Sequence, residues 1–280
     1  MSLALSGVEY TYAADTAFAA RALVGVDVAF EPGEVVLVLG ATGSGKSTLL
    51  RVAAGLLAQQ SGSVTLDGRP VDGPLAVVEP GVGFVFQSPE MQLFAETVEA
   101  DVEFGPHNQG LSDDEARVRA LGALSAVGLE AEDFAARSPF SLSGGEARRA
   151  AIAGVLAMSP GYLLLDEPTA GLDLAGREAV RGIVEAARRT AGVVVVTHAS
   201  EEFLGIADRV VLLSGGRVAF DGAADALVQN PERLAEAGLK PPEVLRVQML
   251  ARDAGLPLRR FALDPVEAAA LIAEAREAAR

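Results

Sequence analysis

The sequence predicts an α/β fold: a parallel sheet with antiparallel strands on one flank, a helical insertion, and a small helical C-terminal domain. Three observations carry this. Short unbroken apolar runs, Val35-Val-Leu-Val-Leu39, Tyr162-Leu-Leu-Leu-Asp166 and Val193-Val-Val-Val-Thr197, have the length and composition of strands buried on both faces. Each leads into a stretch of helical spacing: 47–54, 173–190 and 199–207. Between about 88 and 158 the strand pattern gives way to helices alone.

The remaining elements follow in order. Val8-Glu-Tyr-Thr-Tyr12 and Val24 to Phe30 alternate with period two, as half-buried strands do, and Pro32-Gly33 turns the chain into the first apolar run. Gly62 to Arg69 reads as a hairpin turning at Asp67-Gly68, and Val82 to Phe86 as a further strand. Ser112-Asp-Asp-Glu115 is a capping box for a helix that ends before Gly128. Val210–Leu213 and Arg217–Phe220 flank Ser-Gly-Gly as a last hairpin. Beyond residue 228, Pro241-Pro242 opens one helix and Asp264-Pro-Val-Glu267 another. The expected division is a main domain over 1–228, its helical part at about 88–158, and a small helical domain over 229–280.

Composition narrows the function classes. At 280 residues the chain can bury a large core, and no apolar run is long enough to span a bilayer. No basic, apolar leader opens it, so a cytosolic protein is expected, held at a membrane through a partner. The absence of cysteine removes disulfide and thiolate chemistry, and two histidines are too few for a His-rich metal site. A formal charge of −15 disfavours nucleic acid and anionic lipid. Screening over about 8 Å keeps that charge from deciding what binds at one loop.

One loop does suggest a ligand. Gly40-Ala41-Thr42-Gly43-Ser44-Gly45-Lys46-Ser47-Thr48 matches G-x-x-x-x-G-K-[ST] between a strand and a helix. An ordinary glycine-rich turn is the plain alternative. In a phosphate site the glycines let backbone N–H groups surround an anion, Lys46 reaches the β- and γ-phosphates, and Ser47 holds Mg²⁺. Asp166-Glu167, at the end of an apolar strand, adds a carboxylate for the metal shell and a carboxylate able to take a proton from water. A solvated acidic loop is the competing reading. Leu142-Ser143-Gly144-Gly145-Glu146 can be a capping box and nothing more. Yet two glycines in a first helical turn cost roughly 1 kcal/mol each against alanine. Bare backbone N–H groups for an approaching phosphate would justify them.

Together with Gln87 after one strand and His198 after another, these motifs resemble those of an ATP-binding-cassette (ABC) ATPase subunit over about residues 1–225. The resemblance implies ATP and Mg²⁺ as ligands, with residues 40–48 as Walker A. It implies Gln87 as the Q-loop glutamine that senses metal, Asp166 as the Walker B aspartate and Glu167 as the catalytic base. His198 would be the switch histidine, Asp173 the D-loop aspartate, and Ser143, Gly144 and Gly145 the signature presented to a second subunit. Tyr12 resembles the aromatic that stacks on adenine, and a core aromatic is its alternative. Leu174 stands where the family usually has proline.

The stretch 86–106, with Met91, Leu93 and Phe94, is similar to the segment after the Q-loop in energy-coupling-factor transporters, which import vitamins and metal ions such as cobalt and nickel. Those apolar residues are either core or the face toward a membrane partner. The helical tail resembles that group's too, where it helps two ATPase subunits associate; packing on its own domain is the alternative. The implied partners are a second ATPase subunit, like or unlike, a transmembrane energy-coupling subunit and a substrate-binding membrane subunit, at the cytoplasmic face of the membrane. Two rivals stand beside this. A chromosome-maintenance ATPase would carry long heptad arms between its motifs and a basic face. A silent nucleotide-binding partner would have a damaged Glu167, His198 or signature. His107, in a Pro/Asn/Gly setting, is expected to be a solvated loop residue.

Overall fold

The computed structural model describes residues 2–71, 81–88 and 92–279. A four-stranded antiparallel sheet is built from β1 (Leu3–Tyr12), β2 (Ala20–Phe30), β4 (Ser61–Leu66) and β5 (Arg69–Pro70), in the order β2-β1-β4-β5. A second sheet contains β3 (Val35–Leu39), β6 (Val82–Val85), β7 (Tyr162–Asp166), β8 (Gly192–Val196), β9 (Arg209–Ser214) and β10 (Arg217–Ala223). Its order is β10-β9-β3-β8-β7-β6, parallel except for the β9–β10 hairpin.

Period-two side-chain alternation in these apolar strands feeds two cores. Val35, Leu37 and Leu39 of β3 point to one face with Leu163, Leu165, Val193 and Val195; Val36 and Val38 point to the other with Leu164, Val194 and Val196. On that second face α1 (Lys46–Ala53) is held between the two sheets, with Leu49, Leu50 and Val52 wholly buried beside Leu3, Leu5 and Phe30. The loop ahead of α1 is therefore anchored at both ends.

The insertion is helical: α2 (Val98–Asn108), α3 (Asp113–Ala126), α4 (Ala131–Phe134), a 3-10 turn at Pro139–Ser141, and α5 (Gly144–Ala157). Both capping boxes form, at Ser112/Glu115 and Ser143/Glu146. α6 (Leu174–Ala187) follows β7, and α7 after β8 is a single turn, Ser200–Phe203, rather than a helix over 199–207. Gly205 follows the C-cap residue Leu204, and glycine disfavours continuation. His107 also differs from expectation: it lies in the last turn of α2, 3.9 Å from Glu103 and 3.9 Å from Asp113.

Leu93 is buried in the first core, while Phe94 is exposed and packs edge-to-face on Phe104, ring centres 4.8 Å apart. Met91 lies outside the described residues. In the tail, α8 (Ala224–Val228), α9 (Glu232–Glu236), α10 (Glu243–Asp253) and α11 (Pro265–Ala278) succeed one another. Leu227, Leu234, Leu245 and Phe261 share the first core with the sheet, so apolar packing runs unbroken across residue 228. Wholly buried Gln248 fastens the tail to itself: its amide donates to Ala262 O at 2.7 Å and accepts from Ala262 N at 2.9 Å. Among the described residues, no helix is long and apolar enough to cross a membrane.

Candidate nucleotide site

The parallel strands bring the sequence motifs to one edge. β3 pairs with β8 and β8 with β7, and each strand's C-terminal end delivers a loop: residues 40–45, Thr197-His198 and Asp166-Glu167. Ligands of open parallel sheets bind outside such ends.

The first loop needs its glycines for steric reasons. A Cβ on Gly40 would lie 2.4 Å from Leu213 O and from Ser44 Oγ; one on Gly45, at φ 103°, would lie 2.3 Å from Ala22 O. Lys46 is buried, and its Nζ donates to Gly40 O at 2.7 Å and Ala41 O at 3.1 Å. Burial draws its pKa below the ordinary 10.5, against the pull of Glu167 and Asp166. Ser44 Oγ is buried with no hydrogen-bond partner among the described residues, as a group suited to an anion would be.

Beside the loop, Ser47 Oγ donates to Asp166 Oδ1 at 2.8 Å. Asp166 is 1% exposed, and burial holds its carboxyl above the ordinary 3.8, with the Ser47 bond acting oppositely. A buried carboxylate paired with a hydroxyl at a helix start offers the hard oxygen donors that suit Mg²⁺. The chain thus fits a magnesium–triphosphate ligand on its own groups.

Glu167 is held in an unusual conformation. Its φ is 50°, a left-handed value that costs a non-glycine residue about 1–3 kcal/mol. Its N–H donates to Val196 O at 2.8 Å, and its carbonyl accepts from Arg148 Nη1 at 2.9 Å. The side chain is gripped as well: Oε2 accepts from Thr197 Oγ1 at 3.1 Å, and Oε1 lies 2.9 Å from His198 Nδ1. A carboxylate only accepts, so Nδ1 carries the proton in this arrangement. The His198 ring is otherwise exposed.

The other expected residues divide. Tyr12 is 38% exposed, which removes the core alternative; its hydroxyl meets Thr48 Oγ1 at 3.2 Å and its ring packs edge-to-face on Tyr10. Gln87 is exposed, two residues past Val85, which pairs with Leu165. Ser143, Gly144, Gly145 and Asp173 lie elsewhere, lining a cavity of about 580 Å³ with Leu172 and Gly176 that includes no residue of 40–48. A Cβ on Gly144 would meet nothing, and one on Gly145 only Leu172 Cδ2 at 3.8 Å. Among the described residues, nothing requires these two glycines. Asp173 caps α6 by accepting from Gly176 N at 2.9 Å, and Leu174, the departure from the family pattern, is an exposed first residue of that helix.

Thr197 and Arg148 bond to Glu167, and Glu202 bonds to Thr169 and Arg177; no sequence motif singles these three residues out. Thr197 was signalled by its place between the last valine of a strand and His198. Arg148 and Glu202 gave no local signal, because their partners are 19 or more residues away.

The model of the ABC transporter family matches residues 23–170. The chain is 40% identical over 260 residues, 91% of each sequence, to the energy-coupling factor transporter ATP-binding protein EcfA2 of Clostridium perfringens. It is 41% identical to the protein of the same name from Listeria innocua, covering 98% of this chain and 95% of that one. Among solved structures, cbiO1 from Clostridium perfringens, part of the ABC transporter complex cbiONQ, superposes with a TM-score of 0.73 at 33% identity over 88% of this chain and 98% of that one. The dimeric ATP-binding cassette MJ0796, in a post-hydrolysis state with ADP and Pi, gives 0.72 at 31% identity over 80% and 99%. The nucleotide-site geometry and these likenesses agree: the chain is an ABC ATPase, and it belongs to the ATP-binding proteins of energy-coupling factor transporters.

Proposed function

We propose that this ATPase works as one half of a dimer that closes around ATP and drives an energy-coupling-factor importer for vitamins or for transition-metal ions such as cobalt or nickel. Residues 40–48 bind the phosphates, with Lys46 released from its own carbonyls to do so, and Tyr12 stacks on adenine. Ser47, Asp166 and Gln87 would hold Mg²⁺, which would supply neutralising charge to the β- and γ-phosphates. Glu167 orients the attacking water and takes its proton, and His198 contacts the γ-phosphate. Ser143, Gly144, Gly145 and Asp173 serve the partner subunit's nucleotide.

The observation that carries this reading is the Glu167 carboxylate, fixed on both oxygens by Thr197 and His198 at the strand edge that also holds Lys46 and Asp166. A general base is worth about 10²–10⁴ in rate. Glu167→Gln is therefore expected to lower steady-state hydrolysis at least about 100-fold while nucleotide titration still shows binding. Undiminished hydrolysis would refute the role of Glu167.

The membrane partners belong to the same proposal. Phe94 and Phe104, both exposed, border a cavity of about 470 Å³ with Gln92, Gly154 and Met158. A transmembrane energy-coupling subunit seated there, with a substrate-binding membrane subunit beyond it, would place the chain on the cytoplasmic face as a peripheral protein. Purification from membranes, with mass identification of bound integral proteins, tests it; recovery free of any membrane protein would contradict it.

A further inference from the structure

We infer that Glu202 is a positioning residue for hydrolysis: it clamps the loop between Glu167 and α6 to the segment that carries His198. Glu202 lies on α7, four residues past His198, and its side chain is only 11% exposed. Its two carboxylate oxygens go to different places. Oε1 accepts from Arg177 Nη1 at 2.7 Å, and Oε2 accepts from the hydroxyl of buried Thr169. Arg177, in the first turn of α6, also donates through Nε to Leu172 O at 2.9 Å. One carboxylate thus ties down both ends of the 168–173 loop.

The consequence reaches two places. Upstream, Thr169 is two residues from Glu167, whose side chain is shared with Thr197 and His198. Downstream, Leu172 and Asp173 form the wall facing Ser143, Gly144 and Gly145. Moving α7 relative to that loop would shift the base, the histidine and the signature cavity together. Both of its partners donate to it, and a carboxylate accepts through both oxygens. Glutamine is a permissible substitute, because the Thr169 hydroxyl can reverse and accept from the amide while the amide oxygen keeps Arg177. Alanine loses both contacts.

The test is ATP hydrolysis by the purified full-length protein bearing Glu202→Ala, Glu202→Gln, Arg177→Met or Thr169→Val. Loss of positioning is expected to lower kcat for Glu202→Ala by about 10- to 100-fold with KM for ATP changed less than about twofold. Glu202→Gln should stay within about threefold of wild type, and the Arg177 and Thr169 variants should each reproduce part of the loss. The double variant Glu202→Ala with Arg177→Met should lose no more than Glu202→Ala alone. An unchanged kcat in Glu202→Ala would overturn the inference, as would equal losses in the Ala and Gln variants. Should Glu202→Ala fail to fold, the Arg177 and Thr169 variants decide, and wild-type kcat in both would overturn it. The signature-facing consequence rests on the dimer reading. A failure of that reading would appear in the wild type, as hydrolysis without cooperativity in ATP, while the kcat pattern of the variants would stand.

Discussion

Glu167 shows how a single residue is fixed in place by neighbours that its own motif does not contain. Adjacent acids after a buried strand are visible in sequence; the left-handed φ, the Arg148 bond to the carbonyl and the Thr197 grip are not. Gly45 is the opposite case, because sequence and structure state the same requirement. Gly45→Ala would drive a Cβ to 2.3 Å from a backbone oxygen at a φ that favours glycine, so the loop must deform. Nucleotide affinity is expected to fall at least about tenfold in a binding titration; wild-type affinity would show that the loop tolerates the carbon. Lys46→Ala should weaken binding as well, by removing the ammonium now held by Gly40 O and Ala41 O.

At the scale of elements, buried strands were the most legible parts of the chain. Val35–Leu39 and Tyr162–Asp166 were bounded to the residue because both faces of these strands are buried, which leaves an unbroken apolar run with sharp ends. Helices were less sharply bounded. α6 ends at Ala187 although its pattern continues to Thr190, and α7 is one turn. Helix ends depend on a few local hydrogen bonds, which tertiary packing easily outweighs. Leu164→Ala, in the middle of β7 and wholly buried, is expected to cost about 2–5 kcal/mol in a denaturant titration. A loss under 1 kcal/mol would mean that the sheet closes the gap.

For the whole molecule, the informative fact is that the expected site residues do not all meet. Residues 40–48, 166, 167 and 198 share one edge, whereas Ser143, Gly144, Gly145 and Asp173 line a different cavity. Gly144 and Gly145 have room for side chains, so the chain's own packing leaves them unexplained. A second subunit approaching that surface, as proposed above, would explain them. The tail was legible as helices, but its burial with the sheet core through Leu245 and Phe261 was not, since their spacing alone does not name a neighbour. The half-site account is tested most directly by the mass of the Glu167→Gln protein in solution, measured by light scattering with and without ATP and Mg²⁺. Stable ATP-dependent doubling of the 28.8 kDa mass, abolished by adding Gly145→Val, is the result expected. A protein that binds ATP yet keeps the same mass, or one that doubles with Gly145→Val in place, would contradict it.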